Sequence, residues 1–164
     1  MKSDTIAAIA TALSDAGIGI IRISGPEAIA VANRVVVNKK KEHTLKNWQT
    51  HTIHYGFVEE NGTILDEVMV SVMKAPRSYT TEDTVEINCH GGVLLTKRVL
   101  EAVLHAGARM AEPGEFTKRA FLSGRIDLSE AEAVMDLIQA KNQFSMQASI
   151  KQLRGSVAEK VKSL

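Results

Sequence analysis

The feature that most constrains this chain is a pair of long alternating runs joined by one short turn. From Thr50 to Glu59 the residues alternate, with Ile53, Tyr55 and Phe57 on one side. From Ile64 to Lys74 they alternate again, with Val68, Val70 and Val72 on one face. Strand side chains point to opposite faces with period two, so each run predicts a strand with one apolar side. Between them stands Glu60-Asn61-Gly62-Thr63, and Asn-Gly tolerates the positive φ of a tight hairpin turn. The two strands are antiparallel neighbours, and Ala75-Pro76 ends the second.

The flanking segments read as further strands and two helices. Ile6 to Thr11 is short, apolar and bounded by polar residues, which predicts a strand. Gly17 to Ser24 is β-branched and predicts another, with Ile21 and Ile23 on one face and Ile18, Ile20 and Arg22 on the other. Ser24-Gly25-Pro26 opens a helix to about Val36, since proline suits the first helical position and Glu27 the positive end of the dipole. Ile29, Ala32, Val35 and Val36 are its candidate core residues. Gly92 to His105 predicts a second helix with a Leu95, Val99, Val103 stripe, flanked by Leu100 and Leu104. Gly107 stands where a left-handed cap belongs, and a short strand follows from Ala108 to Ala111. The order strand–strand–helix–hairpin–strand–helix–strand predicts an α+β domain, a mixed sheet with helices on one face.

Pro76 to Gly92 is the stretch richest in chemistry. Val85, Ile87 and Cys89 face one way, while Thr84, Glu86, Asn88 and His90 face the other. That polar row is either a solvated sheet face or a ligand floor. Arg22 shares a face with two isoleucines, so if covered it needs a carboxylate, because an unpaired buried charge costs several kcal/mol. The carboxylate belongs to a ligand or to the protein, with Glu86 the internal partner; otherwise Arg22 sits at a rim and reaches water. His90-Gly91-Gly92 is either an anion cradle or a turn that needs glycine geometry. Tyr79 either stacks on a planar ligand or closes its loop. Lys118 and Arg119 read as a solvated helix face.

The texture changes at Glu112-Pro113-Gly114, after which no strand signal occurs. Glu115 to Leu122 predicts a short helix, broken by Ser123-Gly124. Ser129 with Glu132 reads as a capping box opening a helix to about Lys141, with Leu128, Val134, Leu137 and Ile138 as its apolar face. A last helix is expected from about Gln143, with a stripe of Ile150, Leu153, Val157, Val161 and Leu164. The stripe stops in mid-pattern, which predicts packing partners outside these residues.

Composition excludes several classes. The chain has 164 residues, one cysteine (Cys89) and a formal net charge of +1. That length supports a core without staples, and a single cysteine excludes an internal disulfide framework. Neutrality removes any global case for nucleic acid, leaving only local patches such as Lys39-Lys40-Lys41. The five histidines are scattered, so no metal site is expected. No stretch approaches the ~20 apolar residues of a membrane span, and no signal-peptide core is visible, so a cytoplasmic protein is expected.

Several ordered motifs together resemble one family. They are Asp4-Thr5-Ile6-Ala7-Ala8-Ile9-Ala10-Thr11, the run Gly17 to Pro26, the run Ser78 to Gly92, Glu112-Pro113-Gly114-Glu115-Phe116-Thr117-Lys118-Arg119-Ala120-Phe121-Leu122, and Gly124-Arg125-Ile126-Asp127-Leu128-Ser129-Glu130-Ala131-Glu132-Ala133. The chain resembles the N-terminal part of the MnmE (TrmE) family of tRNA-modification GTPases. The likeness weakens from Val37 to Gln49, and Ala12 to Ala16 departs from the family's proline- and glycine-rich loop.

The resemblance implies a folate-binding and dimerising α+β domain over 1–118, similar to the folate domain of aminomethyltransferases. Residues 119–164 would then begin a helical domain. It further implies a homodimer and a flavoprotein partner, MnmG, with no membrane or DNA role. Together the two proteins install an aminomethyl-type group at C5 of the wobble uridine of tRNA. The carbon comes from tetrahydrofolate, in its 5-formyl or 5,10-methylene form. Arg22, Glu86 and Arg125 match the family's folate-binding positions, with Tyr79, Asn88 and His90 as secondary candidates. A tRNA contact by Lys39 to Lys41 is the alternative to a solvated loop. No Gly-x-x-x-x-Gly-Lys-Ser/Thr loop occurs, so GTP, Mg2+ and K+ belong to a GTPase domain absent from this chain, and no catalytic residue is expected in it. Two rivals remain. One is a direct folate-dependent one-carbon transferase using Asp83, Glu86 or His90; the other is a ligand-free scaffold docking the GTPase domain.

Overall fold

The computed structural model describes residues 4–11 and 17–141, with Gln143 and Gln147 beyond. The expected last helix and the Ala12 to Ala16 loop fall outside the described residues. The chain divides into two compact units, Met1–Arg125 and Ile126–Leu164. The first unit thus runs beyond Lys118, because the helix containing that residue belongs with the sheet.

Seven strands form one sheet in the first unit: β1 (Ile6–Ile9), β2 (Gly19–Ser24), β3 (Val36–Val37), β4 (Thr52–Glu60), β5 (Thr63–Met73), β6 (Thr84–Cys89) and β7 (Arg109–Met110). The order is β3-β4-β5-β6-β2-β1-β7. Only β1 and β7 pair in parallel, so the sheet is mixed and the α+β expectation is met. The hairpin is β4–β5, with Asn61 (φ 53°) and Gly62 (φ 80°) in its turn. Three helices accompany it: α1 (Ala28–Val35), α2 (Gly92–His105) and α3 (Glu115–Leu122).

One face of the sheet meets α1 and α2. Ile21 and Ile23 of β2, Val68, Val70 and Val72 of β5, and Val85, Ile87 and Cys89 of β6 are fully buried there. Val31 and Val35 of α1 and Val99 and Val103 of α2 complete that core. Two readings shift by a residue or so. Val36 leaves the helix and pairs with Val58 as β3, because three consecutive β-branched valines favour strand. The α2 stripe centres on Thr96, Val99 and Val103, with Leu95 only half-buried. Gly107 takes φ 126°, as its position after α2 predicted.

The hairpin's apolar side on β4 faces away from α1 and α2. Ile53 is 65% exposed and Tyr55 45% exposed. Gly56 and Val58 face the core instead. A Cβ on Gly56 would stand 3.0 Å from the Val37 carbonyl oxygen, so a larger residue there requires β3 to give way by a few tenths of an ångström.

Helix α3 serves the opposite side of the sheet from α1 and α2, and Arg119 ties it down. Arg119 was expected on a solvated face, yet its side chain is only 11% exposed. Its Nη1 donates to Glu82 Oε1 at 3.0 Å and to the Asp4 carbonyl oxygen at 2.7 Å. Its Nη2 donates to Asp4 Oδ1 at 2.8 Å and to Glu115 Oε2 at 3.4 Å. Arg109 donates to both Asp4 and Glu115 as well. A charge this covered requires such partners. Lys118, its neighbour, is exposed as expected.

In the second unit a helix α4 covers 128–141 among the described residues. The Glu130 N–H donates to Asp127 Oδ1 at 2.7 Å, so Asp127 rather than Ser129 is the cap. Asp127 lies directly before the first helical turn, where its short carboxylate reaches a free N–H. Leu128 and Leu137 of α4 are exposed.

Two predictions follow from this packing. Ile87→Ala empties a fully buried site and is expected to lower unfolding free energy by about 2–5 kcal/mol in urea titrations, whereas Leu94→Ala, at a position 76% exposed, moves it by about 0.5 kcal/mol or less. The hydrogen bond from Arg109 holds the Asp4 carboxyl at about 2, below its ordinary 3.8. A carboxyl depressed by folding adds stability above its unfolded value and loses it as pH falls through the folded one. The melting-temperature gap between wild type and Asp4→Asn is therefore expected to persist above pH 3.8 and to close as pH falls to about 2.

Candidate functional site

The polar side of β6 meets the Arg22 side of β2 in register. Glu86 lies directly opposite Arg22, and Asn88 opposite Ile20. The Arg22 row continues to Ala8 on β1 and to Ser71 on β5. So the row reads Ser71, Glu86, Arg22, Ala8, with small residues flanking a pair of opposite charges. The same alternation that sends Ile21, Ile23, Val85 and Ile87 into the core places this pair on the opposite face.

Arg22 Nη2 stands 3.8 Å from Glu86 Oε1, and the side chains are 28% and 24% exposed. The internal partner considered for Arg22 is thus present. Yet 3.8 Å is an ion-pair distance, outside hydrogen-bond range. Among the described residues, neither side chain makes a hydrogen bond. The guanidinium offers five N–H donors and the carboxylate about four acceptor sites. Phe116 from α3 packs against Arg22, with the guanidinium carbon 5.4 Å from its ring centroid. A half-covered cation and anion with free hydrogen-bonding capacity can take a ligand carrying both donors and an anionic group.

The remaining candidates divide. Arg125 follows α3, exposed, with its N–H donating to the Ala120 carbonyl oxygen at 2.9 Å. Gly124 before it takes φ 82°. Among the described residues Arg125 joins no ion pair. Asn88 is half-buried on the same face of β6 as Glu86. The Tyr79 hydroxyl is 3.1 Å from Thr117 Oγ1, so this side chain fastens its loop to α3.

The glycine turn after β6 is already filled. Asp66 Oδ2 accepts from the His90 N–H at 2.9 Å and from the Gly91 N–H at 3.0 Å. The anion in this cradle is the protein's own carboxylate, supplied by β5. His90 Nδ1 lies 3.2 Å from the Glu67 carbonyl oxygen. Asp83 Oδ1 accepts from the Ala75 N–H at 2.8 Å. Two of the three acid–base candidates thus spend polar atoms on the backbone. Burial pushes the Cys89 thiol up to about 12, which makes it an inert core residue. The Tyr55 hydroxyl is raised by its hydrogen bond to Glu67 on the neighbouring strand.

Sequence reasoning missed Phe116 and Arg119. Phe116 lies within a quoted motif, but no periodicity links it to Arg22. Arg119 carried one available signal, a glutamate four residues earlier (Glu115) at helical contact spacing. Among the described residues no cluster of three or more His, Cys, Asp or Glu side chains forms a metal site. No helix among them is long and apolar enough to cross a membrane.

Comparison with known proteins agrees along the whole chain. The family model described as GTP-binding protein TrmE N-terminus matches residues 5–125. A tRNA modification GTPase MnmE of Lachnoclostridium phytofermentans is 60% identical over 164 residues, which is 100% of this chain and 36% of that protein. Its counterpart of the same name in Listeria welshimeri is 54% identical over 164 residues, 100% of this chain and 35% of that protein. One from Streptococcus thermophilus is 57% identical over 154 residues, 94% of this chain and 33% of that protein. The chain thus spans about a third of the length of the curated relatives it matches. The matched span contains every strand of the sheet, and the chain belongs to the tRNA modification GTPase MnmE family, corresponding to its N-terminal region.

Proposed function

We propose that this chain is the folate-binding and dimer-forming part of a tRNA modification GTPase. The observation that carries the folate reading is the Arg22–Glu86 pair, held opposite each other on an open sheet face and outside hydrogen-bond range. A reduced pterin presents a 2-amino group and an N3–H side by side, which a carboxylate accepts as two parallel bonds. Glu86 takes that edge. The glutamyl tail is anionic, and a guanidinium fork recognises carboxylate better than an ammonium does. Arg22 and Arg125 supply the positive charge, and Asn88 is a further hydrogen-bonding group on the same strand face as Glu86. The ligand is tetrahydrofolate in its 5-formyl or 5,10-methylene form.

In the full-length protein, this folate supplies the carbon for an aminomethyl-type group at C5 of the wobble uridine of tRNA. The flavoprotein MnmG acts with it, in the cytoplasm. GTP hydrolysis, with its Mg2+ and K+, we assign outside this chain, which has no phosphate-binding loop of the Gly-x-x-x-x-Gly-Lys-Ser/Thr type. The self-association surface we assign to the outer side of β4, where Ile53 and Tyr55 are exposed beside Phe57. A second copy covers these residues, since an apolar strand face left to water is a liability that pairing removes.

Two measurements test this reading. Calorimetry with 5-formyl-tetrahydrofolate is expected to give heat with wild type and at least about tenfold weaker binding with Arg22→Ala or Glu86→Gln, because each removes a charge-assisted contact of ~1.5–3 kcal/mol. No heat with wild type rejects the folate assignment, and equal heat across the three proteins rejects the site. Sedimentation is expected to find wild type dimeric and Ile53→Asp shifted toward monomer. A dimer equally stable in both removes β4 from the interface.

A further inference from the structure

We propose that Phe116 is a positioning residue for the Arg22–Glu86 site. Its ring holds the Arg22 guanidinium through the π-face and leaves the cation's N–H donors available to a ligand. The choice of ligand rests on the folate reading above; the clamp itself does not.

Among the described residues Arg22 has a charge partner but no hydrogen bond to fix its orientation. Glu86 is 3.8 Å away, so attraction restrains the guanidinium without setting the plane of its fork. Its other row neighbour, Ala8 on β1, is too small to wedge it, and Ser71 lies beyond Glu86. The Phe116 ring, with its centroid 5.4 Å from the guanidinium carbon, is the one aromatic group placed against it among the described residues. A cation is drawn to the ring quadrupole. The ring has no carbonyl or carboxylate acceptor, so this contact does not pair the guanidinium's N–H donors with another protein group. A hydrogen-bonding clamp would consume the donors that a carboxylate-bearing ligand needs.

The ring is itself held in place. Its neighbour Glu115 accepts from Arg109 and Arg119, and its other neighbour Thr117 meets the Tyr79 hydroxyl at 3.1 Å. Helix α3 is docked by Thr117 and Ala120, the two residues it buries, and by Arg119. Phe116 is half-buried and makes none of those polar ties. Its substitution should therefore loosen Arg22 and leave the helix in place.

The test uses Phe116→Leu, which keeps an apolar side chain but removes the ring, and Phe116→Tyr, which restores the ring. Three readouts are taken: the NMR signal of the Arg22 Nε–H group, calorimetry with 5-formyl-tetrahydrofolate, and melting temperature. Phe116→Leu is expected to move the Arg22 signal from its ring-shifted position toward that of a free arginine. It should weaken folate binding about three- to tenfold and leave the melting temperature near that of wild type. Phe116→Tyr is expected to restore both signal and affinity. An Arg22 signal indifferent to Phe116→Leu overturns the clamp. So does an unchanged folate affinity in a variant whose Arg22 signal has moved. A wild type that binds no folate, while its Arg22 signal still responds to Phe116, rejects the folate reading and leaves the clamp standing.

Discussion

Arg119 is the interaction on which the open side of this sheet depends. One guanidinium reaches carboxylates from three places far apart in the sequence: Asp4 before β1, Glu82 before β6 and Glu115 within α3. A cation only 11% exposed would be costly without them. With them, the start of the chain, the loop before the last long strand and the third helix are drawn together. Arg109 repeats the bracing from β7 through the same Asp4 and Glu115. Ser24 Oγ extends it into β2, meeting Thr80 Oγ1 at 2.6 Å and donating to Glu82 Oε1 at 3.1 Å. Phe116 rides on the helix so anchored, which brings its ring against Arg22.

Core and candidate site share one register. β2 and β6 pair so that Ile21 faces Ile87 and Arg22 faces Glu86 on alternate rows. A one-residue slip of either strand would turn that strand's charge into the core and its core-facing apolar side chains to the other face. The burial that drives the sheet together is therefore also what holds the guanidinium opposite the carboxylate. The pair needs no hydrogen bond of its own to stay aligned, and among the described residues its donors and acceptors have no other partner.

Much of this was legible from residue order. The Asn61-Gly62 turn and its flanking alternation marked β4 and β5. The Glu115 to Leu122 helix and the left-handed Gly107 were read at the right positions. Other features were not legible, each for a local reason. Ile53, Tyr55 and Phe57 marked one side of β4, but alternation says only that two faces differ, not which one a helix covers. Asp66 is separated from His90 by a whole strand and a loop, so residue order left the turn as either an anion cradle or a glycine-geometry turn, and only the fold shows Asp66 filling it. Asp127 displaced Ser129 as a cap because both stand near the start of α4 and only backbone geometry chooses between them.

Sequence by itself determined the elements, the two faces of each strand, the opposite charges on β2 and β6 and the family. These depend on short-range periodicity and on motifs, which are written in consecutive residues. Tertiary structure alone decided that Arg22 and Glu86 stand side by side, that Arg119 is a tie rather than a surface charge, and that Phe116 meets Arg22. Each of these depends on which strands become neighbours and where a helix docks. Those choices come from the summed burial of the whole sheet, a quantity that no single stretch of the chain contains.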